Sequence, residues 1–171
     1  MTTIAKEFLE TSKAISDDLK KIIGPPEEGV LSATQQVLPF SVVKGSRGYI
    51  EKVVNQINGT YENGWYDGCA VMVRRLVETL IIEAFEHHQI SNKIKTKDDD
   101  FFYLRDLISA ALVEGSWNLG RNTRKALPKL KDIGDKSAHS RRFIAHRRDI
   151  DNIIGDLRVV SQEFIYLAGL K

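Results

Sequence analysis

The stretch from Trp65 to Gln89 constrains this chain more than any other. Ala70, Val73, Val77, Ile81, Ala84 and Phe85 recur at threes and fours, which at 100° per residue places all six on one stripe. In a strand the same residues would scatter over both faces. The segment is therefore a helix with a buried side, and whatever fold the chain adopts must supply partners to cover it.

The same period returns along most of the chain. Ile4, Phe8, Ile15, Leu19 and Ile22 mark a first helix, which ends at Gly24 before Pro25-Pro26. Residues 24–45 lack the period and hold three of the four prolines, so they read as a long connection with a short strand or a turn near Val37–Val43. Tyr49, Ile50, Val53, Val54 and Ile57 mark a second helix, stopped by the turn signals Asn58-Gly59 and Asn63-Gly64. Asp98-Asp99-Asp100 suit the start of a helix over Phe101–Val113, both as a cap and against the helix dipole. Gly115-Ser116 ends it and opens another that runs to Ile133, with Pro128 inside and Gly134 as its stop. A last amphipathic helix begins near Asp149 and carries Ile150, Ile153, Ile154, Leu157, Val160, Phe164 and Leu167. The expected fold is an all-α helical bundle of five or six helices, with Trp65–Gln89 and Asp149–Leu170 the longest and packed together. Residues 1–45 read as an N-terminal helix and connecting segment, and residues 46–171 as the main helical domain of one compact unit.

Several functional classes are set aside at this level. With 171 residues and 42% apolar content the chain can bury a core of its own. No apolar run approaches the ~18–20 residues of a membrane span, and the opening MTTIAKEFLE has no apolar core of a secretory signal. Cys69 is the single cysteine, which leaves no internal disulfide and no cysteine metal cluster and fits a reducing cytoplasm. There is no phosphate-binding glycine loop, no dinucleotide fingerprint, no H-E-x-x-H and no nucleophile elbow, so neither a metal nor an organic cofactor is expected.

Charge is distributed unevenly. Between Gly120 and Arg148 ten Lys/Arg face two acids, a local balance of +8, whereas the rest of the chain holds 15 basic and 21 acidic residues. Such polarity offers a basic face to an anionic ligand, RNA phosphates above all. On this reading Lys136, Arg141, Arg142 and His146, with Arg121 and Arg124 from the preceding helix, line one basic surface. His146, among arginines, suits a phosphate contact or the entry to a helix. His139 follows a short polar run and has two readings: general acid–base work on a phosphodiester, or capping where two helices meet. His87 and His88 are adjacent, hence about 100° apart on a helix, and cannot share a metal in the i, i+4 manner. Arg74 lies inside the apolar stripe, about 40° from Ala70, with Glu78 one turn on. An arginine there needs a carboxylate, either as a structural pair or as a pair that orients a polar surface site, so Arg74 and Glu78 are expected to interact with each other or with the 133–139 segment.

Two stretches together carry a family resemblance. "YENGWYDGCAVMVRRLVETLI", with its small residues and R-x-x-x-E, resembles the central helix of HEPN-like domains (higher eukaryotes and prokaryotes nucleotide-binding). "LPKLKDIGDKSAH", followed by an amphipathic helix, resembles the second signature of that superfamily, in particular a prokaryotic branch of unassigned function; the similarity covers residues 46–170. The resemblance implies a helical bundle, often a homodimer, whose active members cleave RNA without metal. They use an arginine, then a polar residue, then a histidine four to six residues after the arginine. Here Asp135 and His139 take the last two places, but Gly134 stands where the arginine belongs. The run from Arg141 to His146 repeats the spacing with the wrong second residue. Without the arginine, the charge that would stabilise a pentacovalent phosphorane is missing. The implied function is a non-catalytic or weakly catalytic module associated with nucleic acid or a partner protein, in a prokaryotic defence or toxin–antitoxin setting. The alternatives are a metal-independent endoribonuclease acting as a homodimer and a structural dimerisation module.

Overall fold

The computed structural model describes residues 36–171, together with residues 6, 10–15 and 18. Of the expected first helix, Ile4, Phe8, Leu19 and Ile22 lie outside the described residues, while Ile15 is described and exposed. Among the described residues the chain is all-helical without a strand. After a 3₁₀ turn at Phe40–Val42 come α1 (Gly48–Glu62), α2 (Tyr66–His87), α3 (Leu104–Val113), α4 (Arg121–His139), α5 (Arg147–Asp151) and α6 (Ile154–Leu167). A second 3₁₀ turn, Ser91–Ile94, lies between α2 and α3.

Helix α2 is the axis of the bundle. All six residues of its predicted stripe are fully buried, and so are Leu76 and Leu80 beside them. The buried side is wider than one stripe because α1, α4 and α6 all pack on α2. Valines 73 and 77 are indifferent helix formers, so tertiary burial, worth about 1.5–3 kcal/mol for each such side chain, accounts for the stability of this helix. Helix α1 contributes Ile50, Val54 and Ile57, α4 contributes Leu127 and Leu130, and α6 contributes Leu157, Val160 and Phe164. At the far end of α2, Phe85 meets Trp117 edge to face with ring centroids 4.9 Å apart, and the Trp117 indole N–H donates to the Ala111 carbonyl at 3.1 Å.

The segment near Val37–Val43 is a turn rather than a strand, and it belongs to the same core. Val37, Leu38 and Val43 are fully buried. The Leu38 backbone is held at both ends by the Asn58 amide: its N–H donates to Oδ1 at 3.1 Å and its carbonyl accepts from Nδ2 at 2.9 Å. That pair of hydrogen bonds explains why Asn58-Gly59 does not stop α1. The asparagine faces inward to satisfy a neighbouring chain segment, and the turn comes four residues later. Gly64 there has φ +72° and donates to Tyr61 O, while Trp65 N–H reaches back to Thr60 O at 2.8 Å.

Three further expectations are corrected. Asp98-Asp99-Asp100 do not open a helix; they form a tight turn in which Thr96 N–H donates to Asp100 O and Asp99 takes φ +68°, and α3 starts only at Leu104. Aspartate tolerates that conformation, which makes it as good a turn residue as a cap. The last helix is shorter than read, being interrupted at Asn152–Ile153 into α5 and α6, so α4 rather than the C-terminal helix is the second longest. Gly134 is no stop. Helix α4 passes through it to His139, and Gly134 is buried against α2.

The reason is a close crossing. A Cβ at Gly134 would lie 2.5 Å from Arg74 Cβ and 3.1 Å from the Ala70 carbonyl oxygen, so only glycine lets the two helices meet here. By contrast, Gly59 in α1 has nothing within 4 Å of its Cβ position. Gly134→Ala is therefore expected to destabilise by about 1–3 kcal/mol, overpacking outweighing the gain in helix propensity, whereas Gly59→Ala gains roughly 0.5–1 kcal/mol. Urea unfolding of the two variants checks this; a stabilised Gly134→Ala would mean that the crossing is looser than described.

Candidate nucleic-acid interface

The crossing at Gly134 determines where Arg74 goes. With no side chain at 134, the Arg74 stem lies across α4 and Nε donates to Asp135 Oδ1 at 2.8 Å. Its Nη1 lies 3.6 Å from Glu78 Oε2, one turn along α2. Lys131 donates to the other Asp135 oxygen from one turn earlier on α4. Two cations and two carboxylates thus form a closed, neutral group. All four are partly buried, with Arg74 at 25% and Asp135 at 30% exposure. Burial pushes the Asp135 carboxyl up, but the hydrogen bonds and charges of Lys131 and Arg74 outweigh it and hold its pKa below the ordinary value.

One turn beyond Asp135, His139 is the exposed last residue of α4. Helix α4 runs antiparallel to α2, since Trp117, just ahead of it, meets Phe85 while Gly134 meets Ala70. The loop after His139 therefore arrives beside the first turn of α2. There Ala145 N–H donates to Asp67 Oδ1 at 3.1 Å. His146 N–H donates to Asp149 Oδ2 at 2.9 Å, which starts α5. Arg147 lies over the Tyr61 ring, with its guanidinium carbon 5.7 Å from the centroid, and its Nε donates to the Tyr61 hydroxyl at 3.2 Å. The Tyr61 hydroxyl in turn donates to Asp151. Burial first, then the bond to Asp151, raise the Tyr61 pKa against the opposing effect of Arg147.

The candidate residues do not form one surface. Arg121 and Lys136 stand fifteen residues apart on α4, about 22 Å along its axis. Arg124 is committed to structure, donating to the carbonyls of Leu119 and Leu112. Lys136 pairs with Asp132 at 2.7 Å, as Lys129 does with Asp156 at 3.0 Å. What the fold gathers at the corner between α4 and α5 is His139, Arg141, Arg142, His146 and Arg148, all exposed. Arg141, Arg142 and Arg148 make no ion pair with any carboxylate among the described residues.

Three features of this corner escaped the sequence reading. The Arg147–Tyr61–Asp151 group spans 90 positions and left no local signal. Trp65, at the start of α2, is 57% exposed, and Ile144, in the loop after α4, is 64% exposed. Trp65 did leave a trace, because it stands about 140° from Ala70 on the helical wheel, off the apolar stripe. Among the described residues no group of three or more His, Cys, Asp or Glu side chains is placed to hold a metal, and no helix is long and apolar enough to cross a membrane.

Asp135 gives a pH test of the neutral group. Its folded-state pKa is depressed, so its contribution is complete above the ordinary carboxylate value of 3.8 and is lost as pH falls through the lower folded-state value. Asp135→Asn is expected to cost about 1–2 kcal/mol at pH 7, the partial exposure keeping it below a buried pair. Its unfolding free energy should converge with the parent's in acid. Parallel curves at all pH values would show that the carboxylate charge contributes nothing. In comparisons with known proteins, the chain matches no family model, no curated protein and no solved structure.

Proposed function

We propose that this chain is a HEPN-like, non-catalytic or weakly catalytic module that binds RNA through the basic corner between α4 and α5, within a prokaryotic defence or toxin–antitoxin setting. The observation that carries this reading is the selective pairing of charge. The α4 lysines at 129, 131 and 136 each have a carboxylate partner, whereas Arg121 and Lys125 at the far end of α4 and Arg141, Arg142 and Arg148 have none among the described residues, and of these the last three stand together at the corner. Unpaired, exposed guanidinium groups on one short loop and the first turn of α5 are suited to bidentate contact with phosphate. The two acids of the loop and α5 are already committed: Asp149 accepts the His146 N–H, and Asp151 accepts from Tyr61.

Weak or absent catalysis follows from the neighbouring group. Arg74 reaches from α2 to the place left empty by Gly134, yet Asp135 and Glu78 neutralise it, so it offers little charge to a phosphorane. The runner-up, a metal-independent ribonuclease, draws on one specific placement. His139 stands one turn beyond Asp135 at the exposed end of α4, within the basic corner. The resemblance also makes a homodimer the expected assembly.

Binding to a single-stranded oligoribonucleotide, followed by fluorescence anisotropy, tests the main reading. Neutralising three phosphates gives a log–log salt slope of about −2. Arg141→Glu with Arg142→Glu should weaken binding at least tenfold at low salt, the melting curve unchanged; an unaltered affinity would reduce the corner to a solvated loop. Incubating RNA with chelator present tests the runner-up. His139→Ala should abolish any cleavage and leave affinity intact, and cleavage that persists in the variant rules His139 out as the proton-transfer group.

A further inference from the structure

The loop that carries Arg141 and Arg142 is held to the bundle at few points. Within it the Ser140 hydroxyl accepts the Phe143 N–H at 3.2 Å, which closes residues 140–143 into a bend. The Phe143 side chain packs on the core, partly buried, and Ala145 is buried. Among the described residues, a single hydrogen bond ties residues 141–146 to a part of the chain outside the loop and α5. It is the 3.1 Å bond from Ala145 N–H to Asp67 Oδ1. Asp67 is half-buried in the first turn of α2 and makes no ion pair among the described residues. A carboxylate in this place works against the corner electrostatically. By charge alone an anion would bind better without it. Asp67 does not cap α2 through its side chain either, so beyond the general preference for an acid near a helix N-terminus, the bond to Ala145 is its one task.

Resting on the RNA-binding reading above, we infer that Asp67 is a positioning residue for the basic corner. Its bond to Ala145 holds the loop that bears Arg141 and Arg142 in a preformed arrangement, and this gain outweighs the repulsion that its charge adds. A loop without the bond has to be ordered at the moment of binding, and that ordering is subtracted from the affinity. Ala145 is only 4% exposed, and its N–H has no second acceptor among the described residues. Without Asp67 the loop must therefore move until water reaches the donor. Arg148 is fixed separately, because α5 is anchored through Arg147 to the Tyr61 hydroxyl. Asp67 thus governs the share of binding that comes from the loop.

Two substitutions separate the bond from the charge. Asp67→Asn removes the charge and keeps an oxygen that can accept from Ala145, whereas Asp67→Ala removes both. With the single-stranded oligoribonucleotide at low salt, Asp67→Ala should bind roughly two- to tenfold more weakly than the parent, the size of one net hydrogen bond. Asp67→Asn should bind up to about twofold more tightly, because a repulsion is gone. Hydrogen exchange in the RNA-free chain should find the Ala145 amide protected in the parent and in Asp67→Asn, and fast in Asp67→Ala. Circular dichroism checks that both variants keep the helical fold. Tighter binding by both variants, or equal affinity in all three proteins, overturns the positioning role and leaves the RNA-binding reading standing. An Asp67→Asn chain that binds more weakly than the parent overturns it by itself, and assigns Asp67 to the helix dipole if the Ala145 amide stays protected. Absence of binding by the parent overturns both readings.

Discussion

The packing of α2 against α4 at Gly134 is the contact on which the rest of the molecule depends. A missing Cβ on α4 lets the helices approach until Ala70 O and Arg74 Cβ occupy the space that a side chain would have taken. This groove resolves the difficulty of an arginine within an apolar stripe. Its stem is covered by the facing helix, and only its head emerges, between Asp135 and Glu78. It also lets α4 continue to His139 instead of ending at the glycine. The loop that follows is thereby delivered to the first turn of α2, where Asp67 holds it through Ala145.

The bundle is closed at its other weak points by side chains that satisfy backbone groups far away in sequence. Glu163 accepts the Gly120 N–H at 2.6 Å and the Thr123 hydroxyl, so the carboxylate that caps the start of α4 comes from α6. Asn58 binds both backbone groups of Leu38, and Arg158 donates to the carbonyls of Gln36 and Val37. Arg124 takes two carbonyls at the end of α3 and the connection into α4. These bonds hold helix ends and connections in fixed positions, and a loop carried on such a frame can present its side chains with little ordering on binding.

This division of labour explains what could be read from sequence. Helical period is a local property, and the stripe of α2, the buried face of α6 and the all-α class followed from it directly. Where helices stop proved less legible, because glycine, asparagine and aspartate each answer to more than one physical demand. Gly134 serves a close crossing, Asn58 a remote backbone, and Asp99 a left-handed turn, although all three resemble terminators or caps. The expected meeting of Arg74 with Glu78 or with the 133–139 segment is found in both forms, but the particular partner, Asp135, lies 61 positions away and depends on the crossing. The count of charges between Gly120 and Arg148 likewise merged the two ends of a 19-residue helix into one surface. Linear counting cannot register that length. Nor can it register which cations are already paired.

Pairing is what separates structural charge from available charge in this chain. The Arg74–Asp135–Lys131–Glu78 group is neutral and partly buried, so salt screens it only weakly. Arg141, Arg142 and Arg148 are exposed and take no part in that group. An anion approaching there would meet guanidinium groups that have no carboxylate partner among the described residues, with no stabilising pair to break. The converse holds as well. Ionic strength acts on the exposed charges of the corner while the α2–α4 crossing keeps its pairs, so salt can screen the one without loosening the other.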